Sequence, residues 1–166
     1  MDNQMDLVEY KVGIAECHTC IPPVRLVALG LGSCVGVVIL DVSSGIGGMV
    51  HIMLPESRSF TPDTNPAKFA DTGIPFLFEE VIRIGACKKR MEAKIAGGAQ
   101  MFKSSTNSML LNIGERNIEA CRQVLGKLNI KITGSDVGGS SGRTMVLDST
   151  RQKIFVRQIG KEPREI

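Results

Sequence analysis

Two neighbouring apolar segments constrain the fold of this chain most strongly. The segments CVGVVILD (34–41) and IGGMVHIML (46–54) are almost entirely apolar and rich in β-branched residues, a composition typical of strands buried in a sheet. A Ser-Ser-Gly turn separates them, and serine and glycine favour tight turns. The pattern predicts a β-hairpin with Val42 opposite Gly45, so that the numbers of paired residues add up to 87.

Further strands are predicted wherever apolar and β-branched residues form short runs between turn residues. These runs cover 6–16, 24–33, 92–97, 130–137, 143–148 and 153–159. The segment 55–65 is rich in Pro, Ser, Thr and Asp, and it is predicted to form a loop.

Two helices are predicted between these strands. Residues 66–90 place apolar side chains at helical spacing, and Pro75 is expected to mark a break or a first turn within them. The second helix begins at Asn112, which is predicted to form a capping box with Glu115. The apolar stripe of that helix consists of Ile118, Cys121, Val124, Leu125 and Leu128.

Length and composition limit the class of protein. A chain of 166 residues is the size of one domain, and we expect a single α+β domain over 1–166 with a core at about 8–158 and a tail at 160–166. The net charge of +3 is too small to indicate binding to nucleic acid or to an anionic membrane. Aromatic residues make up only 4%, too few for a base-stacking surface.

Neither membrane insertion nor export is indicated. No apolar run approaches the 18–20 residues of a spanning helix, and the polar start MDNQMDLVEY lacks the features of a secretory signal. We therefore expect a soluble, cytoplasmic protein.

The five cysteines favour reduced thiols, because the number is odd and no export signal is present. The segment Cys17-His-Thr-Cys20 has the spacing of a metal or redox site, but no second pair of ligands completes a zinc site. An exposed N-terminal loop is the alternative interpretation of this segment. Cys121, on the helical stripe, and Cys87, near a helix end, are interpreted as packing residues.

The predicted hairpin brings one cysteine and one histidine to the same face of the sheet. Its register places Cys34 opposite Met53, with His51 as the diagonal neighbour of Cys34. Diagonal Cβ atoms are about 7–8 Å apart, a distance that these two side chains can close. A shift of one residue would put them on opposite faces. The pattern alone leaves two interpretations open, an active Cys–His pair and two core residues.

The glycine-rich segment before Cys34 favours the active pair. Gly30 and Gly32 allow a sharp bend and close approach of a substrate, so that the N–H groups of Ser33 and Cys34 can point at a developing oxyanion. This segment also resembles part of a dinucleotide fingerprint, but it leads into a strand rather than a helix.

Two other glycine groups are interpreted as tight turns. They are Gly97-Gly98 and the stretch from Gly134 to Gly142. Asp136 and Arg143 can pair across the second group and shape a pocket wall, although a surface ion pair is the interpretation that the pattern favours.

The segments LGLGSCVGVVILD and GGMVHIMLP together resemble the signature of the chemoreceptor glutamine deamidases, the CheD family of bacterial chemotaxis. The resemblance continues through KFADTGIPFLFEEVIRIGACKKRMEAKIAGGAQMF, NIGERNIEACRQVL and GSDVGGSSGRTMVLD, and it covers about residues 8–158. It implies an α+β fold with a β-sandwich-like core of mainly antiparallel strands flanked by helices, similar to toxin-type glutamine deamidases. It also implies a cysteine hydrolase, without metal or organic cofactor, that converts glutamine side chains of chemotaxis receptors to glutamate.

The resemblance assigns roles to three side chains. The nucleophile of the family falls on Cys34 and its general base on His51, while the threonine that orients the histidine in many members is Ala28 here. A neutral hydrogen bond contributes only about 0.5–1.5 kcal/mol net, so we expect altered tuning rather than an inactive enzyme. A backbone carbonyl, that of Ala28 being one candidate, can accept the His51 N–H instead.

The resemblance also names partners. The substrate would be the cytoplasmic domain of a methyl-accepting chemotaxis receptor. A second hypothesis is a non-catalytic module that binds a CheC-type phosphatase, and Ala28 gives it some weight; the chemical reactivity of Cys34 distinguishes the two. A third is a redox or zinc domain built on Cys17 and Cys20.

Overall fold

The computed structural model describes residues 7–101 and 111–166. The described residues form two α-helices and ten strands. The helices are α1 (Ala70–Arg83) and α2 (Ile113–Lys127). The strands are β1 (Val8–Lys11), β2 (Cys17–Cys20), β3 (Val24–Leu31), β4 (Val35–Asp41), β5 (Gly47–Ile52), β6 (Met91–Gly97), β7 (Lys131–Val137), β8 (Arg143–Asp148), β9 (Lys153–Arg157) and β10 (Arg164–Glu165).

The strands form two five-stranded sheets. The first has the order β1-β3-β8-β9-β10, and the second has the order β2-β5-β4-β6-β7. Neighbouring strands are antiparallel except in the pairs β1–β3 and β6–β7. The prediction of an α+β fold with mainly antiparallel strands is therefore confirmed.

The second sheet is covered on both faces, which explains the unbroken apolar sequence of β4. One face packs against the first sheet, through residues such as Val38 and Met49 against Leu26 and Met145. The other face packs against α1 and α2, and its residues alternate with those of the first face. Every residue of β4 and β5 is buried, and each fully buried Val, Leu or Ile contributes about 1.5–3 kcal/mol.

The predicted register of the hairpin is confirmed. Val35 is opposite Ile52 and Gly36 is opposite His51, so paired numbers add up to 87 as expected. Asp41 fixes the turn, since its carboxylate accepts hydrogen bonds from the backbone N–H groups of Ser43 (3.0 Å) and Ser44 (3.4 Å). The positions of Cys34 and His51 follow from this register.

Several element boundaries differ from the prediction. Residues 6–16 do not form one strand: β1 ends at Lys11, and the chain turns before β2, whose residues pair with β5. The segment Cys17–Cys20 is therefore an edge strand rather than an exposed loop, because its backbone completes the ladder of β5. The expected tail at 160–166 is also wrong in part, since Arg164–Glu165 pair with β9 and the Ile166 N–H donates to the Ile154 carbonyl (3.0 Å).

Both helix starts also differ from the prediction. Helix α1 continues through Pro75 without a break; the buried residues Ile74 and Leu77 on either side hold it against the sheet.

Asn112 precedes α2 with a left-handed backbone (φ 56°), and its side chain makes no capping hydrogen bond. Its Oδ1 instead accepts from Gln100 Nε2 (3.2 Å), so the predicted capping box is absent. The buried stripe of α2 at Ile118, Cys121 and Leu125 is confirmed.

No helix within the described residues is long and apolar enough to cross a membrane.

Candidate active site

Cys34 and His51 lie at the same end of the β4–β5 hairpin. Cys34 directly precedes β4 and is half-buried, while His51 is the last residue but one of β5 and only 1% exposed. The alternation of the strands puts both on the face that packs against the first sheet, where Cys34 contacts the core between the sheets. The structure therefore brings the two sequence-predicted side chains to one face, as the hairpin required.

The segment 12–16 holds His51 by three hydrogen bonds. The His51 N–H donates to the Glu16 carbonyl (3.0 Å), the Ala15 N–H donates to the His51 carbonyl (3.0 Å), and the ring Nδ1 lies 3.1 Å from the Val12 carbonyl. A carbonyl oxygen can only accept, so Nδ1 carries the proton and Nε2 is left as the basic nitrogen. Among the described residues, the buried Nε2 has no hydrogen-bond partner.

Burial keeps both side chains neutral at rest. It lowers the pKa of His51 from its ordinary 6.5, and the Val12 carbonyl and the charge of Glu16 only partly oppose this effect. Burial also raises the pKa of the Cys34 thiol from its ordinary 9.0, against the effect of the residue's own N–H group. Both effects favour the neutral thiol and the neutral imidazole over a thiolate–imidazolium pair.

Ala28 is fully buried in β3, opposite Met145 and inside the core between the sheets. The carbonyl that faces the histidine ring is that of Val12, so the suggestion of the Ala28 carbonyl is wrong. The reason is the path of the chain. The Val12 N–H donates to the Val27 carbonyl (2.8 Å), which extends the β1–β3 pairing by one residue before the chain turns towards β5.

Three consecutive carbonyls hold the segment that ends in Cys34. The Gly32 carbonyl accepts from the Ala99 N–H (2.7 Å), and the Cys34 carbonyl accepts from the Gly98 N–H (2.8 Å). Between them, the Ser33 carbonyl accepts from Asn117 Nδ2 (2.9 Å). In the part of the chain that the structure describes, the N–H groups of Ser33 and Cys34 donate to no other residue.

Gly97 and Gly98 have a larger role than the predicted tight turn. Both have a positive φ (110° and 68°), and a Cβ at Gly97 would lie 2.2 Å from the Cys34 carbonyl oxygen. Only glycine allows this approach without displacing the backbone beside Cys34.

A buried arginine, Arg143, holds the turn that contacts Gly97. Arg143 is 5% exposed and pairs with the Asp136 carboxylate, so the favoured interpretation of a surface ion pair is wrong. Its guanidinium also donates to the carbonyls of Gly138 and Ser141, which fixes the turn. The turn also contacts residues 97–100, because the Gly138 N–H donates a hydrogen bond to the Gly97 carbonyl (2.9 Å).

Exposed apolar side chains lie beside Cys34. Met53, one position beyond the last pair of the β4–β5 ladder, is 39% exposed, and Met101, whose side chain covers Gly32, is 47% exposed.

Burial raises the pKa of three of the remaining cysteines. Burial raises the pKa of Cys17 to about 12 and that of Cys20 to about 11, and Cys121 is fully buried on α2, as predicted for a packing residue. No group of three His, Cys, Asp or Glu side chains that could hold a metal ion occurs within 7–101 and 111–166.

Two residues of this region escaped the sequence analysis. The role of the Val12 carbonyl could not be predicted from the sequence, because every residue has a backbone carbonyl. Asn117 did leave a signal: it lies four residues before Cys121, so a polar side chain interrupts the buried stripe of α2. A polar residue at such a position needs a buried partner, and here the partners are the carbonyls of Ser33 and Met53.

Comparisons with known proteins agree on one family. The model of the family described as CheD chemotactic sensory transduction matches residues 53–158. A protein of Clostridium kluyveri is 44% identical over 98% of this chain and 100% of its own length. A protein of Desulforamulus reducens is 47% identical over 92% of each chain, and one from Clostridium botulinum is 44% identical over 98% and 100%. All three are named probable chemoreceptor glutamine deamidase CheD.

Proposed function

This chain belongs to the CheD family, and we propose that it deamidates glutamine side chains of chemotaxis receptors, with Cys34 as nucleophile and His51 as general base. The names of its relatives support the substrate and the reaction. The observation that carries the residue assignment is the free Nε2 of His51, on the same face and at the same end of the hairpin as Cys34.

The first step is proton transfer from Cys34 Sγ to His51 Nε2. The Val12 carbonyl holds the Nδ1 proton, so the ring can accept a proton only at Nε2. Because burial keeps the resting thiol neutral, the thiolate forms only when His51 Nε2 takes its proton. The sulfur then bonds to the amide carbon, and the C=O π electrons move to the oxygen.

The N–H groups of Ser33 and Cys34 donate hydrogen bonds to that oxyanion in the proposed mechanism. Each is held in place through the carbonyl of its own peptide and donates to no other described residue. One such donor is typically worth about 2.7–4 kcal/mol of transition-state stabilisation. The protonated His51 then gives its proton to the amide nitrogen, the C–N bond breaks, and ammonia leaves.

The second half of the reaction repeats these roles with water. His51 Nε2 takes a proton from water, the hydroxide bonds to the thioester carbon, and the C–S bond breaks as Cys34 is reprotonated. The sum is glutamine plus water giving glutamate plus ammonia. Besides the substrate and water, the steps involve only side chains and backbone groups of this chain.

The test measures ammonia release and maps Gln-to-Glu conversion by mass spectrometry on a receptor cytoplasmic fragment. Wild type and Cys121→Ala should convert the same glutamines, and Cys34→Ala and His51→Ala should convert none. Cys121 is the matched control, since it is a cysteine buried away from the site. Conversion by Cys34→Ala would disprove the assignment of the nucleophile.

A second candidate function is a regulatory module that binds a CheC-type phosphatase. The raised pKa of Cys34 is the observation in its favour, because a binding module needs no reactive thiol. Wild type that leaves every receptor glutamine unchanged, but binds such a phosphatase, would support this candidate instead.

A further inference from the structure

Asn117 joins the two sides of the candidate active site. It lies in the second turn of α2 and is 0% exposed. Its Nδ2 donates to the Ser33 carbonyl and to the Met53 carbonyl, each at 2.9 Å. Ser33 directly precedes Cys34, and Met53 is two residues beyond His51, so one amide group contacts the segments that carry both candidate catalytic side chains.

The contacts are made where the hairpin ladder stops. The last β4–β5 pair is Val35 with Ile52, and the carbonyls of Ser33 and Met53 lie beyond it. Two carbonyl acceptors require the NH₂ group of the amide, so the orientation of the Asn117 side chain is fixed by its contacts. Its two donors take the place of strand pairing at the open end.

Packing alone does not account for an asparagine at this position. The neighbours of Asn117 on the buried stripe are apolar, and its Oδ1 has no partner among the described residues. Burying an amide with an unpaired acceptor is unfavourable compared with burying an apolar side chain of the same size. The two hydrogen bonds that Asn117 Nδ2 donates therefore explain why an asparagine is present.

We propose that Asn117 is a positioning residue that fixes the Ser33–Cys34 peptide, so that the Cys34 N–H faces the substrate oxygen. The peptide bond is planar and trans, so its C=O and N–H point in opposite directions. An anchor on the Ser33 carbonyl therefore sets the direction of the Cys34 N–H. The inference rests on the proposed function, because the oxygen in question is that of the scissile amide.

The catalytic test compares Asn117→Leu and Asn117→Ala with Cys121→Ala. Leucine has nearly the shape of asparagine without its donors, alanine serves if leucine prevents folding, and Cys121→Ala perturbs the same helix one turn away. We expect kcat for the receptor fragment to fall at least about tenfold in the Asn117 variants, since loss of an oxyanion donor lowers kcat about 10²–10³-fold. KM should change less than about threefold.

Two further readouts separate positioning from general damage to the fold. Alkylation of Cys34 by iodoacetamide needs the thiol but no oxyanion contact, so its rate should stay within about threefold of wild type. The backbone amide resonances of Ser33 and Cys34 should move in the Asn117 variants but not in Cys121→Ala. The melting temperature of each variant checks that it is folded.

The outcomes are distinct. Unchanged kcat in a folded Asn117 variant would overturn the inference, and so would an equal loss of kcat and alkylation rate, which indicates a structural role. Unmoved amide resonances would overturn it without any use of activity. Wild type that releases no ammonia would instead refute the proposed function, while the amide resonances would still report whether Asn117 fixes the peptide.

Discussion

His51 Nδ1 lies 3.1 Å from the carbonyl oxygen of Val12, a backbone group that is present whatever the side chain. The Val12 N–H is in turn held by the Val27 carbonyl, so the acceptor is anchored to the strand that contains Ala28. Position 28, which the resemblance matches to a threonine, is thus next to the anchor. This relationship supplies an orienting hydrogen bond without a third side chain.

Restoring threonine at position 28 should therefore change little. We expect Ala28→Thr to alter kcat/KM for the receptor fragment by less than about threefold, because the Nδ1 proton already has an acceptor and a neutral hydrogen bond contributes only about 0.5–1.5 kcal/mol. Nitrogen-15 NMR of the ring should show the proton on Nδ1 in both proteins. A gain of tenfold or more would mean that the Val12 carbonyl does not orient His51.

The pH dependence of the reaction should follow the neutral pair. Only the neutral imidazole accepts a proton, so kcat/KM should fall as the pH drops through the pKa of His51, which burial holds below 6.5. Alkylation of Cys34, monitored by peptide mapping, should instead rise with a midpoint above 9.0. An acid limb centred above pH 7 would contradict the lowered pKa of His51.

The hairpin and its register could be predicted because the information is local. The two β-branched runs predict neighbouring strands, a tight turn between them gives the register, and the observed pairs of Val35 and Gly36 follow it. This register alone predicts that Cys34 and His51 lie on the same face of the sheet. The buried stripe of α2 is predictable for the same reason.

The surroundings of the pair could not be predicted because they depend on contacts distant in sequence. Asn117 is 84 residues from Ser33, and the Val12 carbonyl acts through a backbone path that no residue type marks. Arg143 illustrates a third case. A charged pair in a glycine-rich turn is exposed in most proteins, and only the packing of the turn against 97–100 shows that this one is buried.

The far end of the hairpin should affect stability rather than chemistry. Asp41 is fully buried and accepts from Arg90 Nε (2.9 Å), Arg90 Nη2 (2.7 Å) and the Cys87 N–H (2.9 Å). Asp41→Ala leaves these donors unpaired, and we expect the free energy of unfolding in urea to fall by about 2–4 kcal/mol. Glu80→Ala breaks an exposed pair with Arg83 and should cost less than about 0.5 kcal/mol. A similar loss in both variants would contradict this view.

The same carboxylate should make stability depend on acid pH. Its contact with Arg90, together with three backbone N–H groups, holds the pKa of Asp41 well below its ordinary 3.8. A lowered pKa in the folded state stabilises the protein above the unfolded-state value, and this stabilisation is lost as the pH falls below it. Urea titrations between pH 6 and pH 2 should therefore show a smaller acid loss for Asp41→Ala than for wild type. If the free energy of unfolding of the two proteins fell equally with pH, other carboxylates would be responsible for the loss of stability in acid.

A pair of glycine substitutions should separate the active-site backbone from the rest of the fold. A Cβ at Gly97 would lie 2.2 Å from the Cys34 carbonyl oxygen and φ is 110°, whereas a Cβ at Gly126 in α2 meets nothing within 4 Å. Gly126→Ala should raise the free energy of unfolding by about 0.5–1 kcal/mol, because alanine favours the helix, and leave kcat unchanged. Gly97→Ala should lower both stability and kcat, since the Cys34 peptide must move. If folded Gly97→Ala retained full kcat at saturating substrate, the backbone around Cys34 would not need its observed position for catalysis.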